Sequence, residues 1–305
     1  MQNIITYIKR PKTLGLAILS HFGTWLPDSL YLKIMFRLKM GYKLNLKNPQ
    51  TFNEKLQWLK LYNRKPEYTQ MVDKSEAKTI AKNILGDGYI IQTLGVWDKF
   101  EDIDFNSLPD RFVLKTTNGG GGGGVIICRD KSKLNLASAA KQLNSSLKAN
   151  IYRNLKEWPY KNVKPRIIAE KFMVDESGEL RDYKFYCFNG DPKVFLVASE
   201  RFSGHSTYFD YFDMEGNHLP FTQGGMNNPV TPALPSTFEE MKQVAKKLSH
   251  GLPHVRIDLY SVDEKVYFGE FTFFDSSGFE KFTPREWDDT LGEWLKLPTT
   301  SKERE

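Results

Sequence analysis

The sequence has few cysteines and lacks a long hydrophobic run. Cys128 and Cys187 are the only cysteines among 305 residues, and each lies in an apolar β-type run without CxxC spacing. This pattern argues against a disulfide framework or a zinc site and predicts buried free thiols in a reducing cytosol. The longest apolar stretch near the N-terminus, residues 14–26, is interrupted by polar residues and is too short to span a bilayer. No secretory cleavage site follows it.

A strong excess of one charge is also absent. The sequence contains 43 Lys and Arg and 37 Asp and Glu, which gives a net charge of +6 and a pI near 9.0. Because the two signs are intermixed, we expect no nucleic-acid partner. An anionic small ligand or an anionic membrane surface would explain the modest excess equally well. A hydrophobic content of 40% predicts a folded protein with disorder confined to its ends.

Basic residues flank the apolar stretch at residues 14–26. They are Lys9, Arg10 and Lys12 before it, and Lys33, Arg37, Lys39 and Lys43 after it. One interpretation is a segment that lies on an anionic membrane surface, which would make this a cytoplasmic protein with peripheral contact at the inner face of the membrane. The other is a solvated helix pair that packs on the main body.

The first part of the chain has helical patterns. Apolar residues recur at helical spacing within residues 27–38, and Thr51 with Glu54 forms a predicted capping box. Asp73 is predicted to cap a further helix that ends at Gly86, with Lys74 in its first turn.

From residue 89 onward, short β-type runs at residues 90–94, 112–114 and 125–128 precede a helix predicted over residues 134–147. A strand follows at residues 166–172, and Asn189-Gly190 predicts a hairpin turn.

Residues 202–235 resemble one long functional loop. Ser236 and Thr237 are predicted to cap the next helix. Two final strands at residues 255–260 and 266–273 then complete an α+β pattern.

Six consecutive glycines interrupt the β-type pattern: Gly119, Gly120, Gly121, Gly122, Gly123 and Gly124. The preceding run ends at Lys115. Ordering so many glycines costs conformational entropy, so the segment is either a flexible linker or a loop ordered by a ligand that needs unshielded N–H groups. A polyphosphate is such a ligand, because successive amides form an anion-binding nest and Lys115 adds a charge beside them.

The last predicted hairpin carries a candidate metal site. With a loop centred near Glu264, Asp258 lies opposite Glu270, and alternation places Arg256 and Thr272 on the same face. Paired carboxylates in an apolar sheet are costly unless they hold a cation, and oxygen ligands suit Mg²⁺ bound to nucleotide phosphates. Arg256 would contact a transferring phosphoryl group. The alternative is an exposed face with ordinary charges.

The order of these features resembles the ATP-grasp superfamily, and several longer stretches look like its TupA-like family of polysaccharide biosynthesis. The stretches are residues 48–58 (NPQTFNEKLQW), 72–74 (VDK), 166–170 (RIIAE), 182–185 (DYKF), 255–258 (VRID), 267–272 (YFGEFT) and 277–282 (SGFEKF). The likeness extends from about Leu30 to Pro298. It implies an ATP-grasp fold, in which two α+β sub-domains clamp ATP beside a helical N-terminal region.

The implied organisation has a helical region at residues 1–65, a linking sub-domain at 66–110, a lid at 111–173, a C-terminal sub-domain at 174–298 and a disordered tail at 299–305. The implied nucleotide contacts are Lys74 and Lys115 on the α/β-phosphates, the glycine loop over the β/γ-phosphates, Glu170 with the backbone of Lys171, Phe172 and Met173 on adenine, and Asp175, Glu176 or Glu179 near the ribose.

Asp258 and Glu270 would bind one or two Mg²⁺, and Arg256 would steady the departing phosphoryl group. Thr272 stands where many members have a metal-binding Asn, so the number of metals stays open.

Candidates for the acceptor side are Arg181, Asp182, Lys184, Arg201 and His205. Solvated charges, a structural Asp182–Lys184 ion pair and an ordinary loop histidine are the alternative interpretations.

The resemblance implies an ADP-forming ligase that uses an acyl phosphate to join an amino acid or peptide to a uronic-acid-type sugar carboxylate, free or lipid-linked. A glycosyltransferase with its only DxD at Asp102–Asp104, a sugar phosphotransferase and an inactive nucleotide-binding module are the alternatives.

Overall fold

The structure is a computed structural model that describes residues 11–120, 122–178, 180–200 and 207–299. Its α-helices are α1 (Pro11–Phe22), α2 (Asp28–Met40), α3 (Phe52–Tyr62), α4 (Glu67–Val72), α5 (Glu76–Leu85), α6 (Leu136–Leu147), α7 (Ile151–Leu155), α8 (Phe238–Ser249) and α9 (Glu286–Trp294). Its strands are β1 (Thr93–Trp97), β2 (Phe112–Thr116), β3 (Val125–Cys128), β4 (Ile167–Lys171), β5 (Asp182–Phe188), β6 (Asp191–Ser199), β7 (Tyr208–Asp213), β8 (Thr222–Gln223), β9 (His254–Val262), β10 (Lys265–Thr272) and β11 (Phe282–Thr283).

The N-terminal helices form a small core of their own. Leu19 of α1 is buried with Tyr31, Leu32 and Phe36 of α2, while Phe279 reaches the same cluster from the C-terminal part of the chain. Helix α2 ends at Gly41, which adopts φ 89°, a conformation that glycine tolerates without strain. Within the described residues, no helix has both the length and the apolar character needed to cross a membrane.

Helix α3 begins at the predicted capping box, which is confirmed. The Thr51 side chain accepts a hydrogen bond from the Glu54 amide, and the Glu54 carboxylate accepts one from the Thr51 amide. This reciprocal pair satisfies two backbone donors that a helix start otherwise leaves unpaired. Helix α3 then packs against α9 and the turn at Asp275–Gly278.

The smaller sheet is antiparallel and has the order β1-β4-β2-β3. Phe112 and Leu114 of β2 alternate with Lys115, so the apolar side chains face α6 while the lysine faces the opposite side. Ala139 and Leu143 of α6 complete this core. Strand β1 joins this sheet from residues 93–97, three residues later than the run predicted at residues 90–94.

The larger sheet is also antiparallel, with the order β10-β9-β5-β6-β7. One face buries stacked rings of Phe185, Phe195 and Phe212, on which Phe238 of α8 packs. Period-two alternation therefore turns Lys184 of β5 to the other face. This second face carries the charged residues of the candidate site.

Several predictions about local structure were wrong. Lys74 lies before helix α5 rather than in its first turn, because the helix begins at Glu76; the predicted capping by Asp73 is confirmed, since its side chain accepts hydrogen bonds from the Ser75 and Glu76 amides. Thr237 precedes α8, but its side chain accepts no hydrogen bond from a helix amide; its hydroxyl donates to Ser261 Oγ. Residues 202–235 contain strands β7 and β8 and are therefore not one continuous loop. The prediction of buried free thiols, by contrast, is confirmed for both cysteines.

Candidate active site

A cavity of about 360 Å³ lies between the two sheets. The smaller sheet contributes Lys115 and Glu170, and we call its side of the cavity the lid side. The larger sheet contributes Lys184, Arg256 and Glu270. The cavity also reaches the glycine-rich loop. It therefore brings together the candidate residues from four separate stretches of the sequence.

Glu170 lies on the lid side between two lysines. Its carboxylate is 2.5 Å from Lys78 Nζ and 2.6 Å from Lys115 Nζ, and its side chain is almost fully buried. Burial by itself raises the pKa of Glu170, but the two ammonium groups outweigh that effect and lower the pKa to about 2. Glu170 is therefore ionised, and two cations share its single negative charge.

Lys184, Asp258 and Glu270 form one row across three neighbouring strands. Lys184 of β5 pairs with Asp258 of β9, which in turn pairs with Glu270 of β10. The predicted pairing of Asp258 with Glu270 is thus confirmed, but the strands do not reach it by regular one-to-one pairing. A β-bulge at Gly269 shifts the pairing by one residue and brings Glu270 opposite Asp258. A Cβ at Gly269 would lie 2.9 Å from the Asp258 carbonyl oxygen, so this close approach requires glycine.

Basic side chains surround Asp258. Arg256 donates from Nε to Oδ1 at 2.7 Å and from its second terminal nitrogen to Oδ2 at 2.9 Å, while Lys184 Nζ also contacts Oδ2. Arg256 further contacts Asp275 and the Thr272 hydroxyl. Burial lowers the pKa of Arg256, but Asp258 and Asp275 raise it well above its usual value. The guanidinium is therefore charged and held in a fixed orientation.

Lys74 connects the glycine-rich loop to the larger sheet. Its Nζ donates to the Gly119 carbonyl oxygen at 2.9 Å and to Glu270 Oε2 at 2.8 Å. Desolvation raises the pKa of Glu270, yet Lys74 and Lys184 more than reverse this shift and hold it well below its usual value. The loop and the carboxylate row thus share one ammonium group.

The glycine-rich loop is a short hairpin tip between β2 and β3. Gly120 and Gly122 line the cavity, and Gly122 adopts φ 80°. A Cβ at Gly124 would lie 2.2 Å from Thr116 Oγ1, whereas one at Gly123 would meet nothing within 4 Å. Glycine is therefore sterically required at some positions of the run but not at all of them.

The far end of the cavity is mostly apolar. It is lined by Val113, Ile127, Phe172, Met173, Val174 and Leu180. The guanidinium groups of Arg111 and Arg129 lie 5.3 and 5.5 Å from the centre of the Phe172 ring. An apolar slot beside the Glu170 strand can accept a flat heterocycle, and the family resemblance implies that the backbone of residues 171–173 contacts adenine.

The residues present fit a magnesium ion as a partly built site. Within the described residues, no group of three or more His, Cys, Asp or Glu converges as a metal cage. Mg²⁺, however, is commonly held by one or two carboxylates together with substrate phosphates. Asp258 and Glu270 offer such a pair. Thr272 lies on β10 with Glu270, and its hydroxyl oxygen is 3.2 Å from a terminal nitrogen of Arg256.

Most predicted site residues line the cavity, but Gly123, Asp258 and Thr272 do not. Four others lie outside the described residues: Gly121, Glu179, Arg201 and His205. Asp182 and Lys184 form the alternative ion pair, with 3.5 Å between Nζ and Oδ1, and both also line the cavity. Arg181 contacts Asp175 and Glu176.

Sequence reasoning missed Lys78 and Asp275. The only signal for Lys78 was its position one helical turn after Lys74.

A sequence model described as TupA-like ATP-grasp matches residues 54–296. A comparison with curated proteins gives no match.

Among similar solved structures, D-alanine–D-alanine ligase from Bacillus anthracis complexed with ATP has 14% identity and a TM-score of 0.40, covering 67% of this chain and 54% of that one. The same ligase from Helicobacter pylori has 16% identity and a TM-score of 0.40, with coverages of 74% and 61%. The ADP complex of N5-carboxyaminoimidazole ribonucleotide synthetase has 15% identity and a TM-score of 0.45, with coverages of 79% and 56%.

This chain thus spans less than two thirds of each of those three chains. Because the identities and TM-scores are low, the assignment depends on the family match, which extends over most of the sequence and includes Lys74, Glu170, Asp258 and Glu270. The chain belongs to the TupA-like ATP-grasp family.

Proposed function

We propose that this chain is an ATP- and Mg²⁺-dependent carboxylate–amine ligase that releases ADP in the cytoplasm. It joins the amine of an amino acid or peptide to the carboxylate of a uronic-acid-type sugar, free or lipid-linked, during biosynthesis of a surface polysaccharide. The observation that carries this proposal is a single cavity with excess lysine charge on the lid side and, on the opposite sheet, Glu270, which pairs with the buried carboxylate of Asp258.

The lid side of the cavity suits a triphosphate. Lys74 and Lys115 place ammonium groups beside the glycine-rich loop, whose side-chain-free backbone lets phosphate oxygens approach closely. The apolar slot around Phe172 then accepts the base. Glu170 keeps Lys115 in place, because their ion pair is buried and hydrogen-bonded.

Asp258 and Glu270 would hold Mg²⁺, with Thr272 as a weaker neutral oxygen ligand. When bound, the ion would neutralise charge on the β- and γ-phosphates. Arg256 stabilises negative charge on the transferring phosphoryl group, and its fixed contacts with Asp258 and Asp275 mean that little reorganisation is needed. Clamping and charge stabilisation supply the rate enhancement, so no protein nucleophile is required.

The acceptor side of the proposal depends on Lys184, Arg201 and His205. Lys184 lies in the cavity beside Asp258, where its ammonium group can attract an anionic sugar. Arg201 and His205 follow strand β6 in the sequence and remain predicted acceptor contacts.

The test is a product assay. Protein, ATP and Mg²⁺ are incubated with a panel of uronic acids and amino acids, singly and in pairs, and nucleotide products are separated by chromatography. We expect ADP release only when a uronic acid and an amino acid are both present. The product should have the combined mass of the two substrates less one water. Release of AMP or pyrophosphate would contradict the proposal.

A nucleotide-binding module without catalysis is the second candidate. It is favoured by one observation: Asp258 and Glu270, which would hold the metal, already form ion pairs with Arg256, Lys184 and Lys74. Tight ATP binding without turnover across the same panel would support this candidate instead.

A further inference from the structure

Helices α1 and α2 expose an apolar surface that the fold does not use. Twelve large hydrophobic side chains are exposed in the described chain, and half of them lie within residues 14–34. They are Leu14, Ile18, Phe22, Trp25, Leu30 and Ile34, and we call this set the α1–α2 surface. Phe22 and Trp25 are 63% and 84% exposed. Such concentration is unusual, because exposed apolar residues on a soluble protein are normally scattered.

The periodicity of the two helices shows that this exposure is systematic. Leu14, Ile18 and Phe22 recur every four residues and so form one stripe along α1, while Leu19 packs inward. Helix α2 buries its inward face through Tyr31 and its neighbours in the N-terminal core. An ordinary surface helix would place polar residues on the outward stripe. The stripe is therefore available to another molecule.

The charge of the chain is concentrated in the same region. Residues 1–53 contain eight Lys or Arg and one Asp, whereas residues 54–305 contain 35 Lys or Arg and 36 Asp or Glu. The single acid, Asp28, is already paired with Arg64 and lies 3.5 Å from Lys156 Nζ. Lys33 and Lys39 are exposed on α2. The apolar stripe is thus bordered by uncompensated positive charge.

We propose that the α1–α2 surface docks on an anionic phospholipid bilayer. Aromatic and aliphatic side chains would enter the headgroup–acyl boundary while the lysines contact anionic headgroups. A second copy of this chain fits less well, because a self-interface would bring two strongly basic regions together. This inference goes beyond the proposed enzymatic function and does not depend on it.

The α1–α2 surface is connected to the cavity through the segment that contains α7. The Lys156 ammonium donates to the Thr24 carbonyl oxygen, and the Tyr31 hydroxyl donates to the Asn154 carbonyl oxygen. At the other end of this segment, a Cβ on Gly120 would lie 3.2 Å from Ile151 Cδ1. Docking would therefore immobilise the segment that also contacts the glycine-rich loop.

Vesicle co-sedimentation without nucleotide tests the proposal. We expect the full chain to bind vesicles of phosphatidylcholine and phosphatidylglycerol, to ignore pure phosphatidylcholine, and to dissociate as salt is raised. The Phe22→Ser/Trp25→Ser variant should lower the partition coefficient at least about tenfold, because it removes two apolar anchors. Lys33→Glu/Lys39→Glu should have a similar effect.

Matched controls come from elsewhere on the surface. Met226→Ser/Val230→Ser removes two equally exposed apolar residues, and Lys141→Glu/Lys247→Glu makes the same change in charge. Both controls should bind like the unmodified protein. Equal binding to both vesicle types, no binding, or equal losses in the controls would overturn the proposal. So would light scattering that reveals a dimer which Phe22→Ser/Trp25→Ser dissociates.

Discussion

Glu170 and Asp258 are both buried carboxylates held by two basic side chains, but the clusters around them differ in charge balance. On the lid side, one carboxylate faces two ammonium groups, those of Lys78 and Lys115. On the larger sheet, four carboxylates face three basic groups; they are Asp182, Asp258, Glu270 and Asp275 against Lys74, Lys184 and Arg256. The lid cluster is thus one charge positive and the sheet cluster one charge negative.

This difference indicates what each side of the cavity is suited to bind. The positive cluster attracts a polyanion, and the negative cluster attracts a divalent cation. A nucleotide triphosphate with its magnesium ion carries both kinds of charge in one molecule. The two clusters would therefore complement the two parts of the proposed ligand, and variants of each cluster should lose different properties.

The largest effect is expected from neutralising the negative cluster. Asp258→Asn or Glu270→Gln removes a hard anionic ligand, and we expect ATP-dependent turnover to fall by at least about a hundredfold. Initial rates of ADP release measure this loss. Urea unfolding should still be cooperative, because the side chains keep their size.

The same hairpin supplies matched controls. Asp263 and Glu264 lie in its turn, do not line the cavity, and are both exposed. Asp263→Asn and Glu264→Gln make identical chemical changes and should leave turnover unaltered. Full activity in Asp258→Asn and Glu270→Gln would remove the metal assignment.

The next largest effect tests whether Glu170 is a stabilising ion-pair centre. Its pKa is about 2 in the folded chain and 4.5 ordinarily, so its contribution is fully present above pH 4.5 and is lost as the pH falls toward 2. This contribution corresponds to roughly 3 kcal/mol of unfolding free energy. The stability gap between the unmodified protein and Glu170→Gln should therefore narrow as urea unfolding is repeated at lower pH. A gap that stays constant with pH would refute the ion-pair account, and Glu264→Gln provides the exposed control.

The two clusters also differ in how far the sequence could predict them. Local signals indicated the hairpin of β9 and β10, because its strands alternate clearly and its turn is short. Asp275 could not be found in this way. It precedes Ser276 and Ser277, whose φ angles of 46° and 55° are rarely adopted by serine.

Long-range contacts hold this turn in place. Gln57 Nε2 and Lys60 Nζ of α3 donate to the Ser277 carbonyl oxygen at 3.0 and 2.8 Å. No local pattern reports a contact across more than two hundred residues. Lys78 was missed for a related reason: its spacing suits helix α5, but its partner lies on β4.

A smaller effect is expected from Lys115→Met in the positive cluster. Losing one charge-assisted contact to phosphate should weaken ATP binding about tenfold or somewhat more. Titration calorimetry without acceptor substrates measures this affinity. Lys133→Met removes an equal charge from a side chain that is 83% exposed and should bind normally. Unchanged affinity in Lys115→Met would place the triphosphate elsewhere.

The smallest effect should come from the bulge that sets the carboxylate row. Gly269→Ala places a Cβ 2.9 Å from the Asp258 carbonyl oxygen and 3.0 Å from the Tyr260 ring, so the strands must separate slightly. We expect a loss of about 1 kcal/mol in unfolding free energy, as overpacking typically causes. Gly88→Ala is the control, since its Cβ would meet nothing within 4 Å and the residue does not line the cavity. If the separation also displaces Glu270, the Mg²⁺ concentration needed for half-maximal activity should rise in Gly269→Ala and not in Gly88→Ala. Equal magnesium dependence in both variants would mean that the bulge does not position the metal carboxylate.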